Sequence, residues 1–307
     1  MKRATTVQDD SWTTSRLLAW IESHLGNKDV HNPPLVARML MTHVVGGTDI
    51  DLLIDPNRPA SSEERDVLRD LVKRAASHEP VQYLVGKADF FGRSFEVDRS
   101  TLIPRQATES LVQVVLDWYR GTAPLEGPRP PLRLADLGCG TGCIGITLLR
   151  QVPGATVLST DISDDVLALA RRNADRHEVT DRMTCQQGPG LDPLGGHAPF
   201  DVICANLPYI PDGDWAGLDA NVREHEPATA LRGGPDGLDV IRPVIRGIRP
   251  HLAAGGLLVM EIDPSQAETV VEIAGGIPGV ASVEVVRDEF GDNRLLRVTS
   301  DLNLQVS

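Results

Sequence analysis

The sequence lacks the features that mark membrane proteins, disulfide-stapled proteins and proteins that coat nucleic acid. None of its apolar runs approaches the roughly 18 residues of a membrane span; the longest are strand-length and flanked by polar residues. Cationic side chains are scarce, with 30 Lys and Arg against 43 Asp and Glu and a formal charge of -13. That balance argues against a general grip on a polyphosphate backbone, which needs cationic surface to displace counterions. It leaves room for a small basic patch or a protein partner. The four cysteines, Cys139, Cys143, Cys185 and Cys204, form no C-x-x-C pair and have no histidine at zinc spacing. They are expected to be small buried thiols in a reducing compartment, and no metal site is expected. The opening MKRATTVQDDSW has two basic residues and no apolar stretch behind them. No secretory leader is therefore expected, and the expected location is cytoplasmic.

What is present is ordinary for a globular protein: 307 residues, 41% of them hydrophobic and 24% charged. The length suggests about two domains and suffices for a real core. Residues 15–25 place Leu17, Leu18, Ile21 and Leu25 at helical spacing before Gly26, and Pro33-Pro34 opens a second helix closed by Gly46-Gly47. Ser61 or Ser62 can cap a third, with Val67, Leu68, Leu71 and Val72 inward. These predict a small helical bundle over residues 1–79.

The segment 80–104 holds three of the five phenylalanines, Phe90, Phe91 and Phe95, in short β-rich runs about Gly92-Arg93. It predicts a hairpin linker. From 105 to 307 short apolar strands (132–137, 156–160, 182–186, 201–205, 257–262) alternate with helices, the clearest at 165–175 and 238–252. The alternation predicts an α/β domain whose mostly parallel sheet is covered on both faces. VEVVRDEFGDNRLLRV predicts an antiparallel edge pair at the end, and the Gly- and Pro-rich stretch 121–131 a plain connector.

Chemistry concentrates in two motifs. In LADLGCGTGCIGITLL a strand delivers Asp136 to glycines 138, 140 and 142, and a helix follows. Glycines let backbone approach a ligand closely, and a helix start offers free N–H groups. Alone this is a common strand-to-helix turn or a dinucleotide site. The spacing, however, is D-x-G-x-G-x-G, with the acid before the glycines. A carboxylate there would repel a pyrophosphate but suits the ammonium of an amino-acid-like cofactor. Asp161 ends the next strand, about twenty residues on, where an acid suits ribose hydroxyls. A nucleoside carrying a charged amino acid is S-adenosylmethionine.

The second motif, FDVICANLPYIP, carries Asn206-Leu207-Pro208-Tyr209 to the carboxyl end of a buried strand. Asn206 offers an amide acceptor, Pro208 has no N–H, and Tyr209 offers a face for a planar group. By itself an Asn-capped proline turn explains as much; beside the glycine loop it does not.

Together these motifs resemble the amino-methyltransferases that use S-adenosylmethionine. EPVQYLVGKADFFGRSFEVDRSTLIPRQATE, HEPATALRGGPDGLDVIR and the GDNRLLRV ending are similar to the HemK/PrmC family of release-factor glutamine methyltransferases. The resemblance implies a class I, Rossmann-like catalytic domain with a seven-stranded sheet behind a substrate-binding bundle. It implies cofactor contacts at Asp136, Gly138, Cys139, Gly140, Gly142, Asp161, Ile162, Gly188 and Asn206. Asn206, Pro208 and Tyr209 become the catalytic candidates, with Leu207, Phe91, Arg105 and Glu109 further substrate contacts. The sequence departs from the family at Leu207, where N-P-P-Y is usual, at Gln106 in R-P-x-T-E, and at Gly188-Pro189-Gly190, where Gly-Asp is common. His225 and Glu226 are expected to be solvated loop residues rather than a base.

Three substrates are compatible: a release-factor glutamine, a free small molecule or amino acid with an amide or guanidinium nitrogen such as arginine, or adenine in nucleic acid. The acidic charge weighs against the last. A two-domain monomer is the default assembly.

Overall fold

The structure is a computed structural model that describes residues 12–122 and 130–302. The opening peptide and most of the expected connector at 121–131 lie outside the described residues.

Two compact units are present. The smaller holds five helices of the first 86 residues: α1 (Thr14–Gly26), α2 (Pro33–Val45), α3 (Asp49–Ile54), α4 (Ser62–Ala75) and α5 (Val81–Val85). Its core joins Ile21, Leu25, Leu40, Met41, Leu68 and Val72, the apolar stripes of α1, α2 and α4. Ser61 caps α4 with the reciprocal Glu64 bond. Two helices go beyond the three that the periodicity predicts. α3 is under two turns and buries only Leu52, too short to show a period. α5 falls where β-branched residues suggest an extended run, but Pro80 starts it, Gly86 at φ +71° stops it, and burial of Val81, Leu84 and Val85 overrides local preference. A short later helix, α9 (Ala220–His225), also belongs to this unit.

The larger unit begins with the hairpin β1 (Lys87–Phe90) and β2 (Arg93–Glu96). Phe90 pairs with Arg93, so the turn is Phe91-Gly92, one residue earlier than expected. Both turn residues have positive φ, +50° and +70°, the twist that two-residue hairpins favour. Phe90 and Phe95 enter the core beside Leu111 and Val115 of α6 (Glu109–Gly121).

Then follow β3 (Arg133–Leu137), α7 (Cys143–Gln151), β4 (Thr156–Asp161), α8 (Asp164–Arg176), β5 (Met183–Gln187), β6 (Phe200–Ala205), α10 (Ile241–Gly247), β7 (Leu252–Glu261), α11 (Ala267–Gly275), β8 (Val280–Arg287) and β9 (Asn293–Ser300). The expected helix over 238–252 is shorter because Pro250 cannot continue it, and β7 begins at its former end.

The sheet order is β5-β4-β3-β6-β7-β9-β8, with β9 the reversed strand. This is the seven-stranded, mostly parallel sheet expected, with its antiparallel end pair. Alternate residues feed two cores: Leu134, Val202 and Cys204 on one face, Ala135, Ile203 and Ala205 on the other. The chain runs outward from β3 through β4 to β5, then returns to lay β6 on the other side of β3. That reversal opens a crevice at the carboxyl ends of β3 and β6, where both motifs sit.

Candidate active site

The glycine loop leaves β3 at Gly138, whose φ is +65°. A Cβ there would lie 2.9 Å from Leu207 Cδ2 and 3.6 Å from the Asn206 carbonyl oxygen. Glycine is required because this is where the two motif loops touch. Gly142 then caps α7, and the Cys139 N–H donates to the Thr160 carbonyl at 2.8 Å, tying the loop to β4. The Cys139 thiol is buried, which pushes its pKa well up and keeps it neutral.

Asp136 is 1% exposed. Its Oδ2 accepts the Gly145 N–H at 3.0 Å, while Oδ1 is buried without a hydrogen-bond partner. Burial pushes its pKa up to about 7, against the helping Gly145 bond. A buried carboxylate with an orphaned oxygen suits a cation. Asp161, at the end of β4, accepts N–H bonds from Gly140 (3.3 Å) and Ser163 (3.2 Å), and burial raises its pKa too. Its oxygens keep lone pairs for hydroxyl donors. Ile162, next to it, is 57% exposed and offers an apolar face. The Gly188 N–H donates to the Asp161 carbonyl at 3.0 Å, and a Cβ on Gly188 would meet Pro193 Cγ at 2.7 Å. Ammonium, ribose and a planar ring thus each find a suited partner: the residues fit S-adenosylmethionine.

At the end of β6 the Asn206 Nδ2 donates to Thr108 Oγ1 at 3.2 Å. Thr108 Oγ1 donates to Glu261 Oε2 at 2.7 Å, and Tyr209 Oη donates to Glu261 Oε1 at 3.1 Å. Burial, then the Glu261 charge, pushes the Tyr209 phenol well above its ordinary range. Burial likewise raises Glu261, opposed by its two hydrogen bonds and by the Arg294 and Arg105 charges. Leu207 is buried in the sheet's second core. Gln266 Nε2 donates to the Tyr209 carbonyl at 2.8 Å. A Cβ on Gly237 would sit 2.1 Å from that same carbonyl oxygen, which explains the glycines of the RGGPDG stretch: that loop lies directly against the motif backbone.

Glu226 is not solvated as expected. It is 5% exposed and accepts the Ile103 N–H at 3.1 Å as well as a guanidinium bond from Arg105. The carboxylate alone is buried in this loop, and its two bonds hold the 103–105 segment against it. His225 belongs to the smaller unit, where its Nε2 lies 3.4 Å from the Ser77 carbonyl. Phe91 and Glu109 are brought together: Glu109 Oε1 accepts the Phe91 N–H at 2.7 Å at the hairpin turn. Neither hydrogen-bonds to residues 206–209 among the described residues. Sequence reasoning missed Thr108, Glu261, Gln266 and Gly237, and took Glu226 for a solvated loop residue. Only Glu261 carries a local signal, an acid closing the apolar run LLVM at a strand's carboxyl end.

A family model for the PrmC N-terminal domain matches residues 16–86, and one for a methyltransferase domain matches residues 134–225. The chain is 38% identical to the release factor glutamine methyltransferase of Geobacter sulfurreducens, over 87% of this chain and 89% of that one. It is 33% identical to that of Rhodopirellula baltica, over 95% and 98%. The chain belongs to the release factor glutamine methyltransferase family, HemK/PrmC. Among solved structures, the catalytic domain of hMettl16 shares the fold, with a TM-score of 0.52 and 17% identity over 79% of this chain and 84% of that chain. The protein is thus an S-adenosylmethionine-dependent methyltransferase with the class I fold of its family.

Proposed function

We propose that the protein methylates the side-chain amide nitrogen of a glutamine in a peptide-chain release factor. The observation that carries this reading is the Asn206 amide, with Nδ2 tied to Thr108 and Oδ1 left as an acceptor at the carboxyl end of β6. S-adenosylmethionine supplies an electrophilic methyl on its sulfonium.

An amide nitrogen is a poor nucleophile because its lone pair is delocalised. The chain must orient it and stabilise the positive charge that develops on it. Asn206 Oδ1 and the backbone carbonyl of Leu207 or Pro208 hold the substrate N–H groups, and Pro208 removes a competing donor. The Tyr209 ring borders the planar amide. Asp136 would hold the cofactor ammonium, Asp161 its ribose hydroxyls, and Ile162 and Gly188 its adenine. No strong base is required, because the proton leaves late or to water. Glu226 is committed to Ile103 and Arg105.

The departures from the family pattern give little support to a free amino-acid substrate. Leu207 points into the core beside Gly138, and Gln106 is exposed. The charge of -13 supports a protein rather than a nucleic-acid substrate. Among the described residues no helix is long and apolar enough to cross a membrane. The reading includes a cytoplasmic monomer with a helical bundle for docking, which takes in α5 and so runs to residue 86 rather than 79, and a catalytic part that begins with the hairpin at Lys87.

The test offers labelled S-adenosylmethionine with purified release factor in one reaction, and with free arginine, glutamine and small amides in another. Labelled release factor is expected; label only in a free amino acid refutes the reading. Asn206→Ala is expected to slow transfer more than tenfold, and a smaller fall refutes its assigned role.

A further inference from the structure

Behind Asn206 lies a polar network that no sequence motif announces. Thr108 and Glu261 are each 2% exposed, so every proton between them must have a partner. Ionised Glu261 can only accept. One of its oxygens accepts a hydrogen bond from the Tyr209 hydroxyl at 3.1 Å, and the other faces Thr108 Oγ1 at 2.7 Å. The threonine hydroxyl has one proton, and the carboxylate claims it. Thr108 Oγ1 is then an acceptor toward its other neighbour, Asn206, 3.2 Å away. An Asn side chain can present NH2 or C=O to a given neighbour; facing an acceptor, it must present NH2. Its Oδ1 is thereby turned away from Thr108.

We infer that Thr108 and Glu261 are positioning residues that fix the polarity of the Asn206 amide, so that an acceptor rather than a donor meets the substrate nitrogen. The inference rests on the reading that Asn206 Oδ1 receives the substrate N–H. A glutamine amide brings two N–H donors. If the Thr108 proton were released from Glu261 it could donate to Asn206 Oδ1, the side chain would turn over, and donor would face donor. Binding and orientation of the nucleophile would fail while the cofactor loop stayed intact. The groups that bear on Glu261 are the Tyr209 hydroxyl, the Thr108 hydroxyl and the Arg294 and Arg105 guanidiniums. The two arginines favour its ionised, accepting form against the burial that raises its pKa.

The decisive variant is Glu261→Gln, which keeps shape and, with its one oxygen claimed by the Tyr209 hydroxyl, offers NH2 to Thr108 where the carboxylate only accepts. In the full chain, kcat is expected to fall about 10- to 100-fold, with the affinity for S-adenosylhomocysteine, read by calorimetry, within about twofold of wild type. The side-chain amide signal of Asn206, assigned in 15N spectra by its loss in Asn206→Asp, is expected to shift. Thr108→Val removes the relay hydroxyl without touching the acid and is expected to act likewise, with Thr108→Ser restoring most of the lost rate. Wild-type kcat is expected to decline on the acid side as Glu261 takes a proton, an acid limb missing from the Glu261→Gln profile. Wild-type kcat in Glu261→Gln, or an unmoved Asn206 amide signal, overturns the inference. If Asn206→Ala is inactive while Glu261→Gln is fully active, the inference alone falls. An active Asn206→Ala overturns the parent reading, and the inference with it.

Discussion

Replacing Asp136 by asparagine should make the cofactor-free protein more stable at alkaline pH while removing its cofactor binding. The Asp136 carboxyl is fully buried, keeps one hydrogen bond through Oδ2, and has its pKa pushed from 3.8 to about 7. A folded-state pKa above the unfolded value means that the folded chain holds the extra proton between these limits. Its stability therefore declines as pH rises from about 4 to 7 and stays reduced above. At 1.36 kcal/mol per pKa unit, ionised Asp136 costs the cofactor-free protein about 4 kcal/mol at pH 8. Asparagine removes that charge but leaves an amide incompletely bonded, at a cost of about 1–3 kcal/mol. The net gain is about 1–3 kcal/mol, or roughly 5 °C in Tm. At pH 4.5 wild-type Asp136 is protonated and the gain disappears. Calorimetric scans of both proteins at pH 4.5 and pH 8 read this directly. A cationic ligand reverses the balance. Its ammonium stabilises the carboxylate, so wild-type affinity for S-adenosylhomocysteine should be about tenfold weaker at pH 6 than at pH 8. Asp136→Asn should bind weakly at both. A variant less stable at pH 8 than wild type, with near-normal affinity, would refute the assignment of Asp136 to the ammonium.

Gly237→Ala places a methyl 2.1 Å from the Tyr209 carbonyl oxygen at φ +74°. It should lower stability by about 2–4 kcal/mol, read by urea unfolding, and should reduce kcat by displacing the motif backbone. Glu226→Ala strands the Ile103 N–H and frees the partly exposed Arg105 guanidinium, and should cost about 1–3 kcal/mol of stability. Wild-type stability in either variant would contradict the packing described. Gly138→Ala should lower cofactor affinity, because its methyl would meet Leu207 at 2.9 Å, and equilibrium dialysis would show it.

The strand-helix alternation and both motifs were legible because β6 and β7 are mostly apolar, β3 and β4 carry short apolar or β-branched stretches, and the glycines fall at fixed offsets. α6 is equally periodic, with Leu111, Val112, Val115 and Leu116 on one face, and is a helix beyond those expected between the hairpin and the glycine loop. α5 was not legible, since its valines prefer strands and only packing makes them helical. The glycine-loop acids declared themselves through spacing. Thr108 and Glu261 did not, because 153 residues separate them and only the sheet's topology joins them. Glu226 read as a loop acid since nothing local shows that Arg105, 121 positions away, buries it.

The central claim is that this site methylates a glutamine side-chain nitrogen. Peptide mass spectrometry of release factor incubated with the enzyme and S-adenosylmethionine tests it most directly. The account predicts a single methyl on a glutamine Nε2. A methyl on arginine, on a main-chain atom, or on no residue of the release factor would contradict it.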